Sequence, residues 1–150
     1  MHPLPPATLG LEILTGVHAP GANLPPEPAL LSRFGGDEFL LVCSLDDDPQ
    51  RGERLAKAIL DIFGDSFRVD GEEFTITASI GIAQAPLDGR TAQQLIQSAD
   101  VAMYDSKRRG RNSWQAFTPE LAEQQLHINT LETDKNETLA RLGFMHQQQV

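Results

Sequence analysis

The sequence has 150 residues, 40% of them hydrophobic, a formal net charge of -9 and a single cysteine. That length suits one domain with a real core, while the acidity excludes a nucleic-acid backbone or an anionic membrane surface as the main partner. A nucleotide stays open as a substrate, because it needs only a local basic group and a metal ion. Cys43 has no second cysteine to pair with, fits a reducing compartment and reads as a small core residue. No apolar run reaches the roughly 18 residues that span a bilayer. The start, MHPLPPATLGLEIL, lacks the basic opening of a signal peptide. The expected location is the cytoplasm, with no membrane partner.

Residues 1–29 hold seven of the ten prolines and read as a Pro-rich irregular segment with one short strand over Leu9–Val17. From Leu30 the pattern sharpens. ALLSRF and FLLVCSL read as two strands joined through GGDE, whose glycines supply the positive φ of a tight hairpin. DDDPQ then opens a helix, with Asp48 as cap and Pro49 in the first turn. Leu55, Ile59, Ile62 and Phe63 share its apolar face, and Gly64 ends it.

A second hairpin turns at Asp70-Gly71, between FRV and EEFTITASIGIA. In the longer strand Phe74, Ile76, Ala78, Ile80 and Ile82 share one face. The other face carries Thr75, Thr77, Ser79 and Gly81, small enough for a neighbour to approach closely. Thr91 and Gln94 have capping-box spacing and start a helix with the stripe Leu95, Ala99, Ala102 and Met103, which Gly110 ends. NSWQAF is a short last strand. Residues 118–150 form a polar linker or pairing helix, from Thr118 and Pro119 to about Leu142. The order ββαββαβ, with strands joined as hairpins and helices on a face, predicts an α+β class with a mainly antiparallel sheet.

Two clusters could carry chemistry. Asp37 and Glu38 are adjacent carboxylates on a turn that strands hold on both sides. They repel each other and gain from a shared cation, and oxygen-only ligands favour Mg²⁺ alongside substrate phosphates. Gly35 and Gly36 leave bare backbone for a nucleotide, as metal-assisted phosphoryl transfer requires. A merely acidic, solvated turn explains the same residues. Lys107, Arg108, Arg109 and Arg111 gather four of the 12 basic residues. They could neutralise a triphosphate, or simply complement the C-terminal end of a helix dipole.

The stretch Arg33-Phe-Gly-Gly-Asp-Glu-Phe39 resembles the signature of the GGDEF domains, the diguanylate cyclases. TASIGIA (Thr77–Ala83) is similar to that family's S-x-G strand. ADVAMYDSKRRGRN (Ala99–Asn112) is similar to its A-D-x-A-M-Y-x-A-K-x-x-G-R-N helix, with Ser106 where alanine is usual. The resemblance covers residues 30–117 and implies a partial GGDEF, nucleotidyl-cyclase-like fold. It also implies a reaction: two GTP, one on each of two domains, condense to cyclic di-GMP in bacterial second-messenger signalling, with Mg²⁺ or Mn²⁺. Asp37 would be a metal ligand and Glu38 would assist the metal or deprotonate the ribose 3′-hydroxyl. Gly35 and Gly36 would lie against the nucleotide, and Lys107 and Arg111 would hold its phosphates. The implied partners are GTP, a second copy of the domain, and an upstream sensor or downstream EAL domain.

The departures lie before the hairpin. Nothing between Met1 and Ser32 resembles the family's D-x-x-x-[FK]-K-x-x-N-D-x-x-G-H stretch, which supplies a further metal aspartate and the guanine-reading groups. No aspartate precedes Asp37. Glu12-Ile-Leu-Thr-Gly16 resembles the family's opening D-x-L-T-G, so the chain reads as truncated or internally deleted on its N-terminal side. The product-inhibition R-x-x-D is replaced by Pro26–Ala29. Whether the chain is an enzyme is therefore open, and the alternative is a degenerate domain that binds GTP or a partner without catalysis. The lost central strand requires a substitute, either the Leu9–Val17 segment or the edge of a second chain.

Overall fold

The computed structural model describes residues 7–15, 30–44 and 48–148. They fall into two compact units, Met1–Thr118 and Pro119–Val150.

The first unit is built on a five-stranded sheet. Its strands are β1 (Ala7–Thr15), β2 (Leu30–Gly35), β3 (Glu38–Cys43), β6 (Ile76–Gln84) and β7 (Ser113–Ala116), in the order β2-β3-β1-β6-β7. The helices α1 (Arg51–Phe63) and α2 (Ala92–Arg108) belong to the same unit. Strands β4 (Phe67–Val69) and β5 (Glu72–Phe74) pair only with each other. They form a hairpin over the Asp70-Gly71 turn, where both residues have positive φ (52° and 80°).

The α+β class stands, but the expectation of a mainly antiparallel sheet is corrected. Within the five-stranded sheet only β2 and β3 pair antiparallel, whereas β1–β3, β1–β6 and β6–β7 are all parallel. The reason is topological. A hairpin reverses the chain, but a helix between two strands carries it back to the end it started from. Helix α1 follows β3 before the chain reaches β6, and α2 joins β6 to β7. Hairpin turns are local in the sequence, whereas the crossovers that set strand direction are not.

The substitute strand is found within the chain itself. β1 occupies the centre of the sheet, at Ala7–Thr15, and its ladder runs along both neighbours. Alternate residues of ATLGLEILT point to opposite faces. Leu11 and Ile13 join Leu41, Cys43, Ile80 and Ile82 in one buried cluster, against which α1 lays Leu55, Ile59, Leu60 and Phe63. Leu14 joins Ala83, Leu95 and Ala99 on the opposite face, beneath α2. The helices therefore cover both faces rather than one.

Local rules account for the helices with two adjustments. Helix α2 has the expected capping box, in which Thr91 Oγ1 accepts from the Gln94 N–H and the Gln94 side chain accepts from the Thr91 N–H. Helix α1 begins later than the DDDPQ cue suggests. Its N-cap is Gln50, and Asp48 instead accepts from the Gln50 N–H and pairs with Arg54. Ile62 is exposed, and Leu60 takes the core position assigned to it. Gly81 meets the expectation of close approach, since a Cβ there would lie 2.0 Å from the Ala99 carbonyl oxygen and 2.4 Å from the Met103 nitrogen. Helix α2 crosses β6 on bare backbone.

The second unit is helix α3 (Pro119–Gln148). Leu126, Leu131, Leu139 and Leu142 are exposed on it, and the hydroxyls of Thr130 and Thr138 donate back to the carbonyls of Leu126 and Asp134. Among the described residues no helix is long and apolar enough to cross a membrane.

Candidate functional site: a pocket at the glycine hairpin

The β2–β3 turn is built on glycine conformations. Gly35 (φ 142°) and Gly36 (φ 53°) occupy the region that favours glycine, and a register shift lies between Arg33 and Gly35. Nothing lies within 4 Å of a Cβ built on either glycine, so their backbone faces open space. Two hydrogen bonds hold the turn. Arg33 Nε donates to the Gly36 carbonyl at 3.1 Å, and the Gly10 N–H of β1 donates to the Asp37 carbonyl at 2.9 Å. The central strand thus anchors the turn from beneath.

Helix α2 ends beside this turn. Gly110, Arg111 and Asn112 follow one another with positive φ (112°, 64° and 48°). For a non-glycine residue that conformation costs on the order of 1 kcal/mol, and here it reverses the chain directly after the helix. The Arg111 N–H returns to the Ser106 carbonyl at 3.1 Å. Within the basic cluster the roles divide. Asp105 engages Arg109 at 2.7 Å and Arg108 at 3.7 Å, which holds both against the helix. Lys107 and Arg111 point elsewhere.

They line one pocket of about 360 Å³ together with Gly10, Gly35, Gly36, Asp37 and Glu38. The six residues to which the family resemblance gives a role meet there, although 68 positions lie between Glu38 and Lys107, while Arg108 and Arg109 do not line it. The volume lies within the range of about 300–1,000 Å³ typical of small-molecule sites. Carboxylates occupy the hairpin side and cations the helix side. As a donor set, the two oxygen-only side chains on the turn fit a hard divalent cation that takes its other ligands from water and phosphate. Asp37 and Glu38 would hold it. Among the described residues no group of three or more His, Cys, Asp or Glu side chains is arranged to hold a metal ion.

Sequence reasoning missed two residues. Gly10 lines the pocket from β1, and a Cβ there would meet Met103 Sδ at 2.8 Å. Glu12, two residues on, is only 6% exposed. Burial first, then the neighbouring Asp100 carboxyl that shares a hydrogen bond with it, push Glu12 up to about 8; Glu38 adds to the rise and Lys107 opposes it. Glu12 therefore keeps its proton at neutral pH. The available signal was a lone acid inside the apolar alternation LGLEIL. The family resemblance assigns the same acid to a D-x-L-T-G-like opening.

Comparison with known proteins gives a consistent result. The family model described as "Diguanylate cyclase, GGDEF domain" matches residues 22–113, more than half of the chain; β1 lies before that match. Residues of this chain are 36% identical to a bifunctional diguanylate cyclase/cyclic di-GMP phosphodiesterase, MucR, of Pseudomonas aeruginosa, over 65% of this chain and 15% of that protein. They are 35% identical to an uncharacterized signaling protein of Caulobacter vibrioides (63% and 12%). They are 34% identical to a cyclic di-GMP phosphodiesterase, PdeR, of Escherichia coli (73% and 16%). The chain thus spans under a fifth of the length of these relatives. Among solved structures, an EAL/GGDEF domain protein from M. capsulatus superposes with a TM-score of 0.57 at 40% identity, covering 60% of this chain and 58% of that one.

Proposed function

The chain belongs to the GGDEF family, and from that premise we propose that it acts in cyclic di-GMP signalling, binding GTP with Mg²⁺ or Mn²⁺ in the hairpin pocket and condensing two GTP into cyclic di-GMP. The observation that carries this reading is the meeting of Asp37, Glu38, Lys107 and Arg111 around one cavity beside the bare backbone of Gly35 and Gly36. A bound divalent cation would supply charge neutralisation at the phosphates. The chain's own groups do the rest. Asp37 and Glu38 would hold the cation, and Glu38 would also accept a proton from the ribose 3′-hydroxyl. Lys107 and Arg111 hold the triphosphate from the helix side. Each 3′-oxygen attacks the α-phosphorus of the other GTP, and each attack releases one pyrophosphate. The reaction needs two pockets facing each other, so the partner is a second copy of the domain. An upstream sensor or a downstream EAL domain belongs to the same proposal.

A second reading is binding without turnover, and the stretch before the hairpin favours it, because no aspartate precedes Asp37 in the sequence to add a further ligand for a cation.

The test is product analysis after incubation with GTP and Mg²⁺ or Mn²⁺, beside an Asp37→Ala/Glu38→Ala variant, with GTP affinity measured on both. Cyclic di-GMP from the parent alone supports the cyclase. Binding without product supports the second reading. A folded parent that neither binds nor turns over GTP rejects both.

A further inference from the structure

We propose that Ser106 is a positioning residue of the pocket: its carbonyl and its hydroxyl close the chain from Lys107 to Asn112 into one fixed turn, and that closure sets where Arg111 stands beside the hairpin. This rests on the nucleotide reading of the pocket given above, in which Arg111 holds phosphate.

The turn is strained. Gly110, Arg111 and Asn112 have positive φ in succession, and two of them carry side chains. Such backbone persists only where its surroundings over-determine it. Here the determining contacts converge on one residue. The Ser106 carbonyl accepts from the Arg111 N–H at 3.1 Å. The Ser106 hydroxyl donates to the Ser113 carbonyl at 2.8 Å and lies 2.7 Å from the Ser113 hydroxyl. Each hydroxyl has one proton, so Ser106 donates to the carbonyl and accepts from Ser113. Ser106 thus grips Arg111 itself and the residue two places beyond it.

Both anchors of this clasp are held. Ser106 is fully buried in α2, the helix that lies against the bare backbone of Gly81. Ser113 begins β7 and sits opposite Ser79 of β6. Ser79 sits opposite Gly10, and Gly10 opposite Glu38. The four residues make one row across the sheet, from the carboxylate of the pocket to the clasp. The backbone of Arg111 is therefore referred to Glu38 through ladder hydrogen bonds rather than through flexible side chains. That precision suits a guanidinium, whose planar fork pairs with phosphate in a fixed geometry. The clasp does not open freely either, because a buried hydroxyl left unpaired costs its desolvation. The helix motif that Ala99–Asn112 resembles has alanine in place of Ser106, and an alanine makes neither side-chain bond. The clasp is a feature of this chain rather than of the motif.

The experiment titrates GTP with Mg²⁺ into the parent and its variants, below the melting temperature of each. Ser106→Ala should weaken affinity about fivefold, the size of one or two lost hydrogen bonds. In an Arg111→Ala background the same change should add less than about twofold, because Ser106 acts through Arg111. Ser106→Thr and Ser106→Val add the same bulk and differ in the hydroxyl, so threonine should bind at least about threefold tighter than valine. Unchanged affinity in Ser106→Ala, equal losses in both backgrounds, or threonine no better than valine would overturn the proposal. If the added bulk unfolds both, Ser106→Ala in the two backgrounds decides. Amide hydrogen exchange without nucleotide gives a second readout. Ser106→Ala should speed exchange in residues 110–113 and leave α1 unchanged, and uniform or absent changes would count against the clasp. If the parent fails to bind GTP, the nucleotide reading fails, while the exchange data still decide whether Ser106 holds the turn.

Discussion

The two faces of the central sheet are made by the same strands and do opposite work. Beneath α1, alternate residues of β1, β3 and β6 are almost all apolar: Leu11 and Ile13, Leu41 and Cys43, Ala78, Ile80 and Ile82, with Thr15 at the end of β1. Beneath α2, the residues in between begin apolar at Leu14 and Ala83, which pack with Leu95 and Ala99 of the helix. Toward the hairpin they turn polar or vanish, as Gly10, Glu12, Glu38, Ser79 and Gly81. Ser79 Oγ is even buried without a hydrogen-bond partner. A two-residue period lets a strand carry a continuous core on one side and a graded passage from core to pocket on the other. The apolar face supplies stability, while the graded face spends some of it to bring charges together.

The contrast is sharpest under truncation of the apolar face. Ile80 is fully buried, and Ile80→Ala should cost about 2–5 kcal/mol. GTP affinity measured on the remaining folded protein should not change. A large affinity loss at full folding would blur the division between the faces.

Gly81→Ala probes the other face. The new methyl would meet backbone atoms of α2 at 2.0 and 2.4 Å, which cannot rotate away. Overpacking typically costs about 1–3 kcal/mol. Because the helix itself must move, affinity should fall together with the melting temperature.

Next in size is a pH effect confined to the graded face. Glu12 holds its proton up to about pH 8 in the folded chain, against an ordinary value of 4.5. The folded state therefore binds this proton more tightly than the unfolded state does. The associated stability is fully present below about pH 4.5 and is lost as pH rises toward 8. Melting temperatures recorded without metal should fall over that window, and Glu12→Gln should flatten the slope. An unchanged slope in Glu12→Gln would assign the effect to other groups.

The smallest effect belongs to a purely local feature. Thr91→Ala removes the α2 cap at a cost of about 1 kcal/mol. Affinity should hold, because the cap lies at the far end of the helix from Lys107. A matching loss of affinity would show that fraying at Thr91 reaches the pocket.

What could be read from the sequence follows this division between local and distant causes. The Asp70-Gly71 turn, the Gly35-Gly36 hairpin, the Thr91–Gln94 capping box and the stripe Leu95, Ala99, Ala102 and Met103 each depend on residues within a few positions of one another. Each is found as expected. Family motifs brought Asp37, Glu38, Lys107 and Arg111 into one list before any geometry was available, and the chain brings them to one cavity. The direction and place of β1 were decided only by the tertiary structure. No local signal says whether a strand will run parallel to its neighbours, because that depends on crossovers tens of residues away. Glu12 shows the same limit. An acid in an apolar strand holds its proton more tightly than a surface carboxyl only once Asp100, 88 positions later, is folded against it. Burial and partnership, the two causes of its shifted proton, exist only after the chain has closed on itself.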